Sequence, residues 1–478
     1  MLWLRVWQVM LSLALLVASW GIWRPYSYWL DELCSVTAAQ ADWMLLLYQH
    51  LLIDVHPPLY SILLKVWIAL VGDSEPAVRL LSWSFAVSAL ALAFCHFRQV
   101  SGKSLAAWLV LLMASNTYFA SHAQEARSYA LLLLLSTWGL IDLQRAHSRA
   151  ATTPGLMLCM RLLLLSLTHY FGFILMGWLL LAHVVTARWA WPVLWRLISV
   201  GLLALIWPVW HVLSGNLLRL GGGNFWIASS GPLDTFVHAQ SFLPGVMALF
   251  GRPAWAWLVP VGLLLLFAFA VRAMWQDRAR NDMVSFAGLV MLVLAGCMIS
   301  VMLVDLRSPI STGRNFVILV PFEAWLLSWL ITRNASVMGR LLLLALVFGG
   351  LLQGGWMLWR NKQSEPENYR SASDQLAMVV AASKRDVVTV WRYDEIVCQG
   401  ESLLWREEVE AYYLGRHREV PPVRWRSTCG VPIPISGDVL LIRSPANVLG
   451  KAVMQGWQPK ATLLSKSGVP SVLILSAP

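Results

Sequence analysis

The stretch DVHPPLYSILLKVWIALV, residues 54–71, decides how the chain is threaded. It is apolar enough to pass for a membrane span, yet an Asp, a His and two prolines stand at its head and Lys65 interrupts its apolar run. That run is about 13 residues, whereas a span needs about 20. A proline pair in the first turn suits a helix start. The stretch therefore predicts a short helix over 58–71 that lies in the interface, on the outer side, without crossing.

The rest of the chain is read outward from that point. Of 478 residues, 58% are hydrophobic and 13% charged, and the mean hydropathy is +0.63. A soluble domain is nearer half apolar and a quarter charged. The composition excludes ordinary soluble and disordered classes and points to a polytopic membrane protein, with 28 tryptophans suited to helix ends at lipid–water boundaries. Apolar runs at 4–22, 78–97, 104–121, 127–144, 155–170, 171–187, 197–214, 255–274, 283–303, 316–332 and 340–359 predict about 11 transmembrane helices. Residues 1–22 lack a small-x-small cleavage site and are expected to stay as the first helix.

A net charge of +11 would suit nucleic acid if it formed one patch. Instead the basic residues recur in short loops: Arg98 and Lys103; Arg145, His147 and Arg149; Arg188 and Arg196; Arg272, Arg278 and Arg280; Arg333 and Arg340. With 59–71 left out of the spans, all these loops fall on one side, which the positive-inside rule makes cytoplasmic along with the N-terminus. Were 59–71 a span, the basic loops of the second half would lie outside.

The opposite face then collects the residues with chemistry. WLDELCS, 29–35, puts Asp31 and Glu32 just after the first span. Adjacent residues do not share a helix face, so one suits a base and the other an orienting or helix-terminal charge; a plain helix start capped by Asp31 is the other reading. Asp54 and His56 are spaced to bind a metal or polarise a hydroxyl, or else form a solvated turn. In HAQEARSY, 122–129, Arg127 is placed to pair with Glu125, to bind a phosphate bidentately, or to anchor a helix end. His169 and Tyr170 read first as an interfacial pair. In DLRSPISTGRNF, 305–316, Arg307 and Arg314 stand near a helix start, a position that favours anions. The glycines at 221–223 lack the strand–helix setting of a nucleotide cradle, and no nucleotide is expected.

After the last span the composition turns mixed. ENYRSASDQLAMVVAASK and SLLWREEVEAYYLG read as helices, DVVTVW and GDVLLI as strands, and ATLLSKSGVPSVLIL as a terminal hairpin. Together they predict a small α/β domain over 361–478 on the outer side, with Cys398 and Cys429 either bridged or buried as free thiols.

WLDE after the first span, DVHPPLYSILL, GDSEPAVRLLS (72–82), HAQEARSYALLLLL (122–135), THYFGF (168–173) and GRNFVILVP (313–321) occur in the order seen in GT-C membrane glycosyltransferases. Over 25–325 the chain resembles the bacterial branch related to protein O-mannosyltransferases and the lipid A aminoarabinose transferase. The resemblance implies a mostly α, polytopic transferase domain over 1–360, a catalytic first outer loop at about 23–77, and a periplasmic domain over 361–478. It implies transfer of a sugar from a polyprenyl-phosphate carrier to a lipid, polysaccharide or protein hydroxyl at the periplasmic face of the inner membrane. Asp31 matches the usual base, with Glu32, Asp54 and His56 beside it as catalytic candidates. Arg127 and Arg314 match cationic positions, although Asn315 stands where the family has Tyr. Metal use varies in the group and is left open, with Asp54 and His56 as candidate ligands.

The chemistry asks for the same residue types. An anionic lipid phosphate leaves best beside cations, which Arg127, Arg314, Lys65 and Arg307 supply. Tyr60, Glu125, His169 and Tyr170 are candidate substrate contacts. In-line attack by the acceptor hydroxyl predicts inversion, with Asp31 taking the proton. A transporter or flippase for a lipid-linked sugar is the alternative; it would carry its charges within the spans.

Overall fold

In a computed structural model, the structure describes residues 2–23, 26–51, 56–148, 155–187, 190–214, 282–307, 310–334, 369–394, 403–427, 438–443, 457–464 and 470–476, with isolated positions between them. The chain divides into two compact units: Met1–Arg24 with Asp54–Leu358, and Pro25–Ile53 with Trp359–Pro478.

The first unit is helical. Helices Glu75–Val100, Trp191–Leu213, Ser285–Asp305 and Gly313–Arg333 are long and apolar enough to cross a membrane, and Arg5–Ala18, Lys103–Ser115, Leu156–Ser166 and Tyr170–Thr186 are shorter apolar helices. The chain is a membrane protein by this measure. The expected spans at 255–274 and 340–359 fall almost wholly outside the described residues. Trp325 is fully buried where Phe286 and Phe97 meet it edge-on and tilted, with ring centroids at 4.6 and 6.5 Å. Buried acids interrupt this apolar interior, among them Asp142 and Glu323. Asp142 is bound by Arg161 at 2.7 and 2.8 Å, and the Arg161 guanidinium lies 3.9 Å from the Trp138 ring. Pairing of this kind is what lets an acid persist among apolar helices.

Residues Leu59–Val71 form a helix of 13 residues, a rise of about 20 Å against a hydrocarbon core of about 30 Å. Pro58 precedes it, and Gly72, at φ +85°, stops it in a conformation that side chains resist. Its orphan first amide, Leu59 N–H, donates to the Leu167 carbonyl at 3.0 Å. The Tyr60 hydroxyl meets Ser82 Oγ at 3.2 Å, and the Trp67 indole donates to the Ala77 carbonyl at 2.8 Å. Tyr60, Ser61 and Leu64 are buried, while Val66, Leu70 and Val71 are exposed. The helix is thus fixed along one face to Glu75–Val100 and offers apolar side chains on the other.

Two expected helices differ in detail. The run 104–121 is broken into Lys103–Ser115 and Thr117–His122, because the Asn116 side chain caps the second piece by accepting from Tyr118 N–H at 2.8 Å. The run 155–170 ends at Ser166, and the next helix restarts at Tyr170 with His169 as its cap, Nδ1 accepting from Phe171 N–H at 3.1 Å.

The second unit is built around a five-stranded sheet, with β1 Val388–Asp394, β2 Val423–Ser427, β3 Val439–Arg443, β4 Gln458–Leu464 and β5 Pro470–Ser476 in the order β2-β1-β3-β5-β4. β1 pairs in parallel with β2 and β3, and β5 runs antiparallel to β3 and β4. The parallel β1–β2 pair needs a crossover, and helix Leu403–Leu414 lies between them in the chain. Alternate residues Val388 and Val390, Val439 and Leu441, Val472 and Ile474 face one core with Leu376 and Val380 of helix Tyr369–Ala382. Strand β2 was not expected from the sequence. Cys398 and Cys429 lie outside the described residues.

Candidate active site

The loop HAQEARSY sits between helices Thr117–His122 and Tyr129–Ser148, and its polar residues are buried. Gln124 reaches the first helix: its Oε1 accepts from Gly21 N–H at 2.6 Å and its Nε2 donates to the Val17 carbonyl at 3.1 Å. Glu125 turns back to His122, Oε2 to Nδ1 at 2.9 Å. Arg127 Nη2 lies 3.4 Å from Nδ1 and 3.3 Å from Nε2 of His56. Near-equal distances to both ring nitrogens place the guanidinium against the imidazole as a whole. Glu125 thus engages His122, and Arg127 engages His56.

These contacts extend into a chain of rings. His56 meets His169 at 4.9 Å between centroids, His169 meets Tyr129 at 5.6 Å, and Tyr129 meets His122 at 4.5 Å. Tyr118 stacks on the far side of His122 at 6.2 Å and 17°. The Arg314 guanidinium stands 5.8 Å from the Tyr129 ring. Three imidazoles, two guanidiniums and the Glu125 carboxylate, from residues far apart in the chain, therefore share one cluster, and the buried Glu323 carboxylate acts on Tyr118 at its edge.

Arg314 is delivered by a braced turn. Asp305 Oδ1 accepts from Ile310 N–H at 2.8 Å and Ser311 N–H at 3.0 Å, and the Asn315 amide donates to the Ile310 carbonyl at 3.0 Å. Gly313 packs so closely on Tyr118 that a Cβ there would overlap the tyrosine hydroxyl and ring. Asn315 thus braces the turn that carries Arg314.

Tyr170 and Tyr60 make hydrogen bonds of their own. The Tyr170 hydroxyl is bound to His211 Nδ1 at 2.6 Å, and Tyr60 serves the short helix through Ser82. Lys65 is half-buried on that helix, and Arg307 is exposed at the end of Asp282–Asp305. Asp54 lies outside the described residues.

Asp31 and Glu32 belong to the second unit, in helix Leu30–Gln40. Glu32 is fully buried, and its Oε2 accepts from Trp29 N–H at 3.4 Å, the reach-back of an N3 glutamate. It is therefore the helix-terminal charge of the pair, and Asp31 is half-buried beside it.

No protein-family model and no curated protein sequence matches the chain. Solved structures do. ArnT from Cupriavidus metallidurans in the apo state superposes with a TM-score of 0.58 at 15% identity, over 98% of this chain and 97% of that one. The same protein bound to undecaprenyl phosphate gives 0.56 at 14% identity, over 98% of each chain. The Archaeoglobus fulgidus oligosaccharyltransferase in complex with Zn and sulfate gives 0.50 at 11% identity, over 98% of this chain and 72% of that one.

The chain has the GT-C fold. Within that fold the ring cluster joins the head of the short 59–71 helix, the 122–129 loop, the start of helix Tyr170–Thr186 and the 312–315 turn. His122 belongs to the cluster and is not among the expected site residues; its spacing three residues before Glu125 is the signal that points to it. Among the described residues no three His, Cys, Asp or Glu side chains converge on a metal position. Both His56 nitrogens face Arg127, an arrangement that opposes a cation at that ring.

Proposed function

We propose that the protein transfers a sugar from a polyprenyl-phosphate-linked donor to a hydroxyl of a lipid, polysaccharide or protein acceptor at the periplasmic face of the inner membrane. The observation that carries this reading is the convergence of Arg127, Arg314, His56, His122 and His169 on one cluster within the GT-C fold. That is the residue set an anionic phosphate leaving group requires. A protein of the same fold has been captured with undecaprenyl phosphate.

In this reading the acceptor oxygen attacks the anomeric carbon and its proton passes to the Asp31 carboxylate. The bond from that carbon to the phosphate oxygen breaks, and the phosphate departs with the electron pair, held by the guanidiniums. One displacement inverts the anomeric centre. A carboxylate base supplies typically 10²–10⁴-fold. The short 59–71 helix holds His56 at the outer interface, and the lipid tail of the donor lies among the helices.

The test is mass spectrometry of cell-envelope glycans and lipid A from cells with and without the protein, followed by transfer assays in proteoliposomes. The expected result is a sugar lost with the protein and a 10²–10⁴-fold slower transfer by Asp31→Asn. An unchanged envelope, or full transfer by Asp31→Asn, would overturn the reading.

A further inference from the structure

We infer that the C-terminal domain holds the Asp31 loop in its working conformation, with Tyr413 as a positioning residue. The inference rests on the proposed role of Asp31 as base.

Residues Pro25–Ile53 and Trp359–Pro478 form one compact unit, although more than 300 residues separate them in the chain. Four observations describe the join. Tyr28 N–H donates to the Tyr413 hydroxyl at 2.8 Å. Arg370 N–H donates to Ser27 Oγ at 3.2 Å, and the same hydroxyl donates to the Tyr28 carbonyl at 3.0 Å. The Tyr28 ring is fully buried against Tyr412 and Tyr413, with centroids at 6.0 and 6.4 Å. Helix Leu30–Gln40 packs along helix Leu403–Leu414, and Leu33, Val36, Val409 and Tyr413 are all buried.

These contacts fall at the entry to the helix that carries Asp31. Ser27 and Tyr28 are fixed by the C-terminal domain, and Trp29 N–H is fixed by Glu32. Asp31 follows within the first turn. Its backbone is thus set by groups from helices Tyr369–Ala382 and Leu403–Leu414. A base must stand within hydrogen-bond reach of the proton it takes, and small displacements cost large factors in rate. A domain built this way acts as a brace for the catalytic loop, and its own sheet need not touch substrate.

The experiment uses the full chain in proteoliposomes with a polyprenyl-phosphate-linked sugar. Tyr413→Phe removes one hydroxyl from the join and Ser27→Ala removes the other, so either variant serves if its companion fails to fold. Turnover, donor KM and amide hydrogen exchange over 26–40 are measured together. The expected result is at least fivefold faster exchange at Tyr28 and neighbouring amides, at least fivefold lower kcat, and donor KM within twofold of wild type. A merely structural defect would instead lower protein yield and donor affinity alongside kcat. Unchanged exchange, or loosened exchange with wild-type kcat, overturns the inference while leaving the transferase reading intact. A wild-type protein that transfers no sugar defeats that reading, and the inference with it.

Discussion

Gln124 offers the sharpest test of how the site is held. Helix Leu2–Ala18 is interrupted at Ser19 and resumes at Trp20–Trp23. At such a break, Val17 C=O and Gly21 N–H are the acceptor and donor, four residues apart, that an unbroken helix would join to each other. The Gln124 amide stands in for that bond, accepting from Gly21 N–H at 2.6 Å and donating to Val17 C=O at 3.1 Å. Its NH₂ also donates to the Ala120 carbonyl at 2.7 Å, which ties the first helix to the 117–122 helix beneath the site. Gln124→Ala leaves two buried backbone groups without their partner, each worth about 1–3 kcal/mol. Partial reclosure of the helix recovers some of this, so the expected loss is about 2–4 kcal/mol. Gln124→Glu keeps the acceptor but faces two carbonyls with oxygens alone, and is expected to be at least as damaging. Reversible unfolding of the full chain in detergent reads the stability, and hydrogen exchange at Gly21 reads the local bond. Stability within about 0.5 kcal/mol of wild type for both variants, with Gly21 exchange unchanged, would refute the amide-insertion account.

Three further outcomes follow from the same contacts. Arg127→Ala should weaken binding of a polyprenyl phosphate about 10- to 100-fold, as expected for loss of a charged hydrogen bond, with acceptor affinity nearly unchanged; equal losses in titrations of both ligands count against a phosphate role. Gly313→Ala forces a methyl into Tyr118 and should cost about 1–3 kcal/mol in an unfolding measurement, with weaker donor binding as Arg314 shifts. Arg161→Ala leaves Asp142 among apolar helices with Arg145 at 3.5 Å as a remaining partner, and should cost about 2–4 kcal/mol after allowance for partial exposure of Arg161; no loss of thermal stability would mean that water already serves the acid.

Much of the fold was legible because its punctuation is strong. Pro57, Pro58 and Gly72 bracket the short helix, and each has a backbone consequence that does not depend on tertiary context. The terminal hairpin was legible from its apolar alternation and turn residues, and β4 and β5 pair antiparallel as that reading requires. Strand β2 was missed because Pro421 and Pro422 precede it and its arginines alternate with Val423 and Trp425, so a short edge strand reads as a polar loop. The break at Asn116 was hidden by the apolar run on both sides of it. The cap depends on where one side-chain oxygen turns, to Tyr118 N–H, and hydropathy carries no record of that.

The candidate site was legible as a list of residues and illegible as a set of contacts, and HAQEARSY shows why. The nearest acid to Arg127 in the sequence is Glu125, yet the contacts that build the cluster run from Glu125 to His122 and from Arg127 to His56, 71 residues upstream. The Arg127–His56 contact is made by long-range packing. His56 is brought in by a helix whose first amide is bound to Leu167, and the residues just after Leu167 also bring His169 against the same ring. Tyr129 then joins His122, His169 and Arg314 by ring contacts that no spacing rule encodes. Three successive polar residues of one loop thereby take separate tasks: Gln124 completes a broken helix, Glu125 orients an imidazole, and Arg127 brings its charge to the cluster. Exchanging Glu125 for Gln should therefore disturb His122, whose Nδ1 lies 2.9 Å from Glu125 Oε2. The ring NMR signals of His122 and His56 in the two proteins test this: a shift confined to His56, with His122 unchanged, would remove the Glu125–His122 dyad.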